Sequence, residues 1–216
     1  MDNRNAADRI RLVLFDFDGT LTRPGALDFA AIRKTVDCPD RMPILEYIHG
    51  IADAAQRGRA RDALDRFEAL GAAGSHPNEG AEPLVHWLKK HGLMVGIITR
   101  NTRDAVLRAL RNFRELRPAD FDLILTRDDP VAPKPSGEGI LFAARHLGID
   151  THEVLVVGDF IFDLQAGRAA GARTVLLDPG KDSRMAEADC DYRIRQLDAL
   201  RLIVSAMRSA PPACNL

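Results

Sequence analysis

Two aspartates separated by one residue follow the first apolar run of the chain. The run covers residues 10–15, and Asp16-Phe17-Asp18-Gly19-Thr20 comes directly after it. In an extended chain the side chains alternate between faces, so Asp16 and Asp18 point together while Phe17 turns the opposite way. Two carboxylates this close resist ionising together unless a cation or a shared proton relieves them. The pattern predicts a chemical site; its alternative is a solvated strand end with an Asp-Gly turn.

Three later apolar segments are also followed by polar residues. These residues are Thr99 with Arg100, then Lys134 between two prolines, then Asp159 with Asp163 one helical turn later. In open parallel sheets, functional residues gather at the carboxyl ends of the strands. We therefore expect the four segments to bring these side chains to one edge of a sheet.

The residue types suit the transfer of a phosphoryl group. Several carboxylates aimed at one point favour a hard cation, Mg²⁺ above all when phosphate is nearby. A carboxylate can attack phosphorus to form an aspartyl-phosphate, and a second acid two residues away can protonate the leaving group and later deprotonate water. A hydroxyl beside a helix N-terminus can hold phosphoryl oxygens, and a lysine supplies the neutralising charge.

Composition limits the class of protein. The chain has 216 residues with 46% hydrophobic and 28% charged side chains, which fits one domain, or a core with a small insert. A net charge of −1 and 6% aromatic residues argue against a nucleic-acid partner. The scattered Cys38, Cys190 and Cys214 suggest reduced thiols in a cytoplasmic protein. Residues 1–9 lack a signal-like apolar stretch, and no apolar run approaches the ~20 residues of a membrane span.

Short apolar segments alternate with helical patterns along most of the chain. The strands are expected at 10–15, 93–99, 122–126, 154–157 and 174–177. The helices between them are expected at 81–91, 102–113, 136–147 and 160–170, with Ser136 as an N-cap and Gly92, Gly148 and Gly171 as stops. This alternation predicts a parallel sheet covered by helices on both faces.

Residues 24–80 show only helical signals. Helices are expected at 28–36 and 43–48, and Ala60, Ala63, Leu64, Phe67 and Leu70 form an apolar stripe at helical spacing. A segment rich in glycine and small polar residues at 71–80 is expected to be a flexible connection. The insert could be a mobile cover over the site or a structural decoration.

Together these residues resemble the haloacid dehalogenase-like superfamily of phosphohydrolases. Four motifs match in order: DFDGT at 16–20, Thr99, Lys134 in a PKP setting, and GDxxxD at 158–163. The resemblance covers nearly the whole chain and is nearest to the phosphoglycolate phosphatase-like branch, although the insert is short for that branch. It implies a three-layer, Rossmann-like α/β core formed by residues 1–23 and 81–216, with a small α-helical cap at 24–80.

The resemblance also implies roles for single residues. Asp16 would be the nucleophile and a metal ligand, and Asp18 the general acid/base, with its backbone carbonyl on the metal. Thr99 and the catalytic Lys134 would bind the phosphoryl group. The remaining roles are Mg²⁺ ligation by Asp159, ligation or water-shell contact by Asp163, and phosphate binding by the backbone amides of Phe17, Asp18 and Arg100.

For several side chains the sequence allows two interpretations. Arg100 could touch substrate or be a solvated residue at a helix entry. Arg57 and Arg59, around Gly58, could clamp an anionic substrate group or form a solvated charged turn that interrupts a helix. Phe160 stands where the family often has a small polar residue, which leaves a hydrogen bond around the metal ligands in doubt.

The implied function is a Mg²⁺-dependent phosphatase that acts on a small phosphorylated metabolite through a phospho-aspartyl intermediate. A phosphomutase similar to β-phosphoglucomutase would use the same core, and a catalytically silent phosphate-ester binding protein is a third possibility. A haloacid dehalogenase fits less well, because displacement of halide from carbon needs no metal. The sequence identifies neither the substrate nor the oligomeric state.

Overall fold

The fold is built on a six-stranded parallel sheet. A computed structural model describes residues 9–40, 42–180, 185 and 187–209. The strands are β1 (Leu12–Phe15), β2 (Met94–Ile98), β3 (Leu123–Leu125), β4 (Val154–Gly158), β5 (Arg173–Leu177) and β6 (Tyr192–Ile194). Their order across the sheet is β3-β2-β1-β4-β5-β6. The first strand of the chain therefore lies at the centre, where Phe15 pairs with Ile97 on one side and Val157 on the other.

Helices cover both faces of this sheet. The α-helices of the described residues are α1 (Phe29–Val36), α2 (Ile44–Gly50), α3 (Ala54–Gly74), α4 (Ala81–Lys90), α5 (Arg103–Leu110), α6 (Glu138–Leu147), α7 (Ile161–Ala170) and α8 (Leu200–Ser209). Helices α4, α5 and α8 share one hydrophobic cluster with the sheet, and α6 and α7 share another on the opposite face. Alternate residues of β1 enter the two clusters, which is why its sequence is continuously apolar. The predicted three-layer α/β core is confirmed.

Helices α1, α2 and α3 pack around a hydrophobic cluster of their own. Its members include Ile32, Leu45, Ile48 and Leu64. This helical segment leaves the sheet after β1 and returns at α4, and α3 also packs along α5 of the core.

Helix α3 differs from the sequence prediction in three ways. It runs unbroken through Arg57-Gly58-Arg59, because Gly58 is exposed on a helix already started by the Asp53 cap, whose carboxylate accepts a 2.6 Å hydrogen bond from Gln56 N. It also continues past Gly71 to Gly74, so the flexible connection predicted from 71 begins later. Leu70, predicted in the apolar stripe, is 72% exposed.

The ends of the core elements hold further differences. Ser136 is not the N-cap of α6: the helix begins at Glu138 after Gly137, and Ser136 Oγ instead accepts a 3.2 Å hydrogen bond from Glu138 N in the turn before it. Strand β6 and helix α8 were not predicted. A strand of only three residues carries too little periodicity to recognise, whereas Leu200, Val204 and Met207 do follow helical spacing.

Cys38 and Cys190 are free thiols, and Cys214 lies outside the described residues. Within the described part of the chain, every helix is too short or too polar to cross a bilayer.

Candidate active site

The turn after β1 presents two carboxylates at the carboxyl edge of the sheet. Asp16 N extends the strand pairing with a 2.8 Å hydrogen bond to Val157 O. Asp16 and Asp18 keep extended backbones, with ψ values of 163° and 128°, so Phe17 between them points into the core. There its ring stacks on Phe113 at 6.4 Å between centroids. The alternation predicted from the sequence therefore holds, although the strand itself ends at Phe15.

Three carboxylates converge at this edge. Oxygen atoms of Asp16, Asp159 and Asp163 all lie within 4.8 Å of one another. Glycines make the convergence possible: a Cβ on Gly19 would lie 2.2 Å from Asp159 Oδ2, and one on Gly158 would lie 2.1 Å from Asp163 Cγ. Gly19 also has φ of +80°, which L side chains rarely adopt. An all-oxygen donor set this compact fits a divalent cation such as Mg²⁺.

Lys134 is the cation present among these acids. Its Nζ lies 2.5 Å from Asp16 Oδ1 and 2.5 Å from Asp163 Oδ1, with only 3% of its side chain exposed. Burial lowers the pKa of Lys134, but the two carboxylates more than offset it and hold that pKa above its usual value. The lysine stays charged and fixes the position of the Asp16 carboxylate.

The single positive charge of Lys134 does not balance the negative charges of the carboxylates around it. Burial, followed by the charges of Asp16 and Asp163, raises the pKa of Asp159 to about 8. Burial also raises the pKa of Asp163 to about 6, although Lys134 opposes the shift. With no metal bound, Asp163 would keep its proton up to about pH 6 and Asp159 up to about pH 8, whereas ordinary surface aspartates lose theirs near about pH 4. A cation that replaces those protons would relieve the repulsion.

Asp18 has different neighbours from these three acids. Asn101 Nδ2 donates a short hydrogen bond to Asp18 Oδ2, and Thr99 Oγ1 in turn accepts a 3.2 Å hydrogen bond from Asn101 N. Burial and the charge of Asp16 raise the pKa of Asp18 to about 7, against the opposing effect of the Asn101 hydrogen bond. An acid with this pKa can both donate and accept a proton near neutral pH.

Arg100 lies between the core and the helical segment. Its guanidinium contacts both carboxylate oxygens of Glu46 at 2.9 and 2.7 Å, donates to the backbone carbonyl of Lys134 and lies 4.8 Å from the centre of the Phe162 ring. The interpretation of this side chain as a merely solvated helix-entry residue is wrong, because Glu46 of α2 and Lys134 hold it.

A second ion pair ties the helical segment to the core. Arg127 contacts Glu68 and Asp65 of α3, and Glu68 Oε2 accepts a 3.1 Å hydrogen bond from Thr102 N at the start of α5. The side chains of Arg127 and Glu68 are only 4% and 3% exposed. Burial raises the pKa of Glu68, and its ion pair with Arg127 opposes that rise.

The structure thus gathers Asp16, Asp18, Lys134, Asp159 and Asp163, and two hydrogen bonds of Asn101 connect Thr99 to Asp18. The Phe17 side chain is buried in the core, so only its backbone amide remains as a predicted phosphate contact. Arg57 Nη1 donates to Ile51 O within the helical segment at 2.6 Å, and Arg59 is exposed.

Sequence reasoning missed four residues that hold the site together: Asn101, Glu46, Glu68 and Arg127. Asn101 had a usable signal, since it is a polar residue two positions after Thr99 at a strand end. The other three act across the boundary between the helical segment and the core, and their pairing has no local pattern.

The arrangement provides a positioned carboxylate, a second acid with a near-neutral pKa, a fixed ammonium and a cation-sized acidic cluster. Comparisons with known proteins agree with this chemistry. A family model described as haloacid dehalogenase-like hydrolase matches residues 10–171.

Two curated relatives and one solved structure illustrate the similarity. A pyrophosphatase, PpaX, of Bacillus velezensis is 32% identical over 77% of this chain and 82% of its own length. An N-acetylmuramic acid 6-phosphate phosphatase of Pseudomonas aeruginosa is 32% identical over 77% of this chain and 80% of its own. The crystal structure of a haloacid dehalogenase-like hydrolase from Bacteroides fragilis superposes with a TM-score of 0.72 at 25% identity, covering 89% of this chain and all of that one.

Proposed function

The chain belongs to the haloacid dehalogenase-like hydrolases, and from that premise we propose that it is a Mg²⁺-dependent phosphatase of small phosphorylated metabolites that works through a phospho-aspartyl intermediate. The observation that carries the proposal is the Asp16 carboxylate, which Lys134 Nζ fixes at 2.5 Å inside the acidic cluster. The curated relatives include enzymes named for phosphate-ester and pyrophosphate hydrolysis, which favours the same class of substrate.

Asp16 attacks the phosphorus atom, and the bond between phosphorus and the leaving-group oxygen breaks. Asp18 gives its proton to that oxygen, so the first product leaves as an alcohol or an acid. Asp18, now a carboxylate, takes a proton from water as the water attacks the phosphorus of the aspartyl-phosphate. Cleavage of the bond between that phosphorus and Asp16 Oδ releases inorganic phosphate and restores both carboxyl groups.

The other residues bind and orient. Lys134 neutralises Asp16 and the phosphoryl group, and Thr99 with the backbone amides of Phe17, Asp18 and Arg100 holds the phosphoryl oxygens. Asp16, Asp159 and Asp163, together with the Asp18 carbonyl, would hold Mg²⁺, which supplies positive charge to a phosphoryl group that gains negative charge.

The helical segment, residues 24–80, acts as the cap in this proposal. Its own hydrophobic cluster lets it move as a unit, and its contacts through Glu46 and Glu68 bring it over the carboxyl edge of β2. Closure excludes bulk water from the aspartyl-phosphate until the first product has left. The free thiols Cys38 and Cys190 favour a cytoplasmic location.

Phosphate release across a panel of phosphate esters and pyrophosphate, with Mg²⁺ and with EDTA, tests the activity. We expect Mg²⁺-dependent release that Asp16→Asn abolishes and that Asp104→Asn, an exposed aspartate on α5, leaves unchanged. Wild-type rates in Asp16→Asn would overturn the nucleophile assignment. No release from any compound, 4-nitrophenyl phosphate included, would favour the silent binding protein, and isomerisation of a sugar phosphate without net release would favour the phosphomutase.

The intermediate has its own test. With 4-nitrophenyl phosphate the leaving group needs no proton, so Asp18→Asn should release one equivalent of nitrophenolate per chain in a burst and then stall as the phospho-enzyme. Intact-protein mass spectrometry should detect the added phosphoryl group. Steady turnover of Asp18→Asn at the wild-type rate would contradict the assigned role of Asp18.

A further inference from the structure

The Arg100 guanidinium lies close enough to Asp16 to contact the leaving group of a bound substrate. Its guanidinium donates to the backbone carbonyl of Lys134, and the Nζ of the same lysine contacts Asp16 at 2.5 Å. Lys134 therefore bridges the Arg100 guanidinium and the Asp16 carboxylate through one hydrogen bond at each end. The Phe162 ring supports the guanidinium from the core side at 4.8 Å.

Arg100 forms an ion pair with one carboxylate of the helical segment, that of Glu46. Both oxygens of Glu46 contact the guanidinium, and the two side chains remain 18% and 41% exposed for Arg100 and Glu46. The Arg127–Glu68 pair nearby is almost fully buried. Removing one partner of a buried ion pair strongly destabilises the fold, whereas a partly exposed pair can exchange one partner for another at a smaller cost in free energy. Of these two connections, the Glu46 contact is the one suited to open.

In-line displacement sets where a leaving group must lie. The attacking and leaving oxygens stand on opposite sides of phosphorus. Because Asp16 attacks from the edge of the sheet, the leaving group points away from the sheet, towards the helices that carry Glu46. A negatively charged leaving group would meet the Glu46 carboxylate there unless Arg100 changed partner.

We infer that Arg100 is a specificity residue that exchanges the Glu46 carboxylate for a carboxylate or phosphate on the leaving group, so that the preferred substrates carry a second anionic group. The inference rests on the proposed phosphatase function. The planar fork of a guanidinium matches carboxylate and phosphate oxygens equally well, so Glu46 holds the place that a substrate anion would take. The contacts with Lys134 and Phe162 keep the guanidinium in place while the partner changes.

The test compares 2-phosphoglycolate, whose leaving group carries a carboxylate, with ethyl phosphate, which has a leaving group of similar size and no charge. Arg100→Met keeps the backbone amide that the phosphate cradle uses and removes the guanidinium. We expect the ratio of kcat/KM for 2-phosphoglycolate to kcat/KM for ethyl phosphate to fall by about 10- to 100-fold, the effect of losing a charge-assisted hydrogen-bonded pair.

Arg103, the first residue of α5 and three positions after Arg100, offers a matched control. It also contacts two carboxylate oxygens, those of Asp129, and one backbone carbonyl, that of Ile124, all of them in the core. Arg103→Met should leave both the activity and the substrate ratio unchanged.

Glu46→Gln distinguishes two roles of Glu46: a carboxylate that the substrate anion displaces from Arg100, and a contact that only attaches the cap to the core. If Glu46 competes with the substrate anion, its neutral replacement lowers KM for 2-phosphoglycolate by roughly two- to fivefold, the range of an exposed ion pair, and lowers the ratio of that KM to the KM for ethyl phosphate.

The outcomes separate the two proposals. Equal losses on both substrates in Arg100→Met, or a higher KM for 2-phosphoglycolate in Glu46→Gln, would overturn the exchange while leaving the phosphatase in place. Equal kcat/KM values of the wild type for ethyl phosphate and for 2-phosphoglycolate would also overturn the exchange and leave the phosphatase in place. A wild type that releases phosphate from neither compound, nor from the wider panel, would reject the phosphatase itself.

Discussion

In the proposed reaction, Asp18 first donates a proton to the leaving group and later takes a proton from the attacking water. Asn101 restricts it: Nδ2 of this side chain contacts Asp18 Oδ2, and its backbone amide is anchored on Thr99 Oγ1 at 3.2 Å. Asn101 is a positioning residue in the proposed reaction, because it acts on the acid/base and has no assigned contact with the reacting atoms.

Asn101→Ala should lower kcat by about 10- to 100-fold with little change in KM, since a hydrogen bond to a charged group is lost while phosphate binding is retained. That hydrogen bond lowers the pKa of Asp18, and in the proposed reaction Asp18 must be protonated to serve the leaving group. The variant should therefore also shift the alkaline limb of the pH profile of kcat/KM to higher pH. Steady-state kinetics between pH 5 and 9 measure both effects.

Asn112→Ala is the matched control. Asn112 Nδ2 donates to the carbonyls of Ala72 and Ser75 at 3.0 and 2.9 Å, away from the acids, so its loss should reduce stability without changing the pH profile. Identical profiles for Asn101→Ala and the wild type would reject the positioning role.

The sequence predicted which residues meet at the candidate site, but it did not predict every partner of their side chains. Asp16, Asp18, Lys134 and the two later acids could be placed together because each follows a strand, and parallel strands end at one edge. The partners of Asp18 and Arg100 could not be foreseen, since Asn101 and Glu46 lie 83 and 54 positions from the groups they contact.

Between elements, the strongest tie is the one that Arg127 makes from the core to α3. Glu68 serves both Arg127 and the Thr102 amide, so one carboxylate joins α3, the start of α5 and the loop after β3. Replacing Glu68 leaves the buried Arg127 guanidinium with only the partly exposed Asp65 carboxylate as its charged partner.

Glu68→Gln should lower the free energy of unfolding by about 3–5 kcal/mol, the penalty for breaking a buried ion pair. Asp104→Asn, which breaks the exposed pair with Arg108 on α5, should cost less than about 0.5 kcal/mol. Urea denaturation of both variants gives the comparison. A change for Glu68→Gln no larger than that of Asp104→Asn would contradict this penalty and show that the remaining contact with Asp65 is enough to compensate Arg127.

Element boundaries followed local signals wherever those were strong. Gly148 and Gly171 end α6 and α7 in the left-handed conformation, as predicted. Thr102, the first residue of the helix expected at 102–113, is the N-cap of α5 and accepts a 3.3 Å hydrogen bond from Ala105 N. The predictions were wrong where tertiary contacts decide: α3 continues through Gly71 because the lack of a side chain there lets the helix approach the Ala26 carbonyl. The division into core and cap remains a prediction.

At the scale of the whole molecule, the acidic cluster makes stability depend on pH. Folding raises the pKa of Asp18, Asp159 and Asp163, so the folded protein binds more protons than the unfolded chain across the range above the ordinary value of 3.8. Stability therefore falls as pH rises through this range. The acids whose pKa is lowered, Glu46, Asp129 and Asp189, are already largely ionised above about pH 5 in the folded and the unfolded protein and contribute little there.

Without divalent ions the free energy of unfolding should decrease from pH 5 to pH 8. Because Mg²⁺ competes with these protons, a saturating concentration should raise the melting temperature more at pH 8 than at pH 5. Asp159→Asn should flatten the pH dependence and weaken the Mg²⁺ effect. Thermal unfolding with EDTA and with Mg²⁺ measures these slopes, and equal Mg²⁺ shifts at both pH values would contradict the proton-linked site.

The central position of β1 has a consequence for how the protein is made. Of the six strands this one is synthesised first, yet its two neighbours contain Ile97 and Val157. A nascent chain therefore carries Asp16 at the end of a strand that lacks one neighbour until residue 157 has left the ribosome. The helical segment emerges in between with its own hydrophobic cluster and can fold earlier. Any chain that stops before β4 exposes a bare strand edge to its neighbours, so premature termination produces an aggregation-prone fragment.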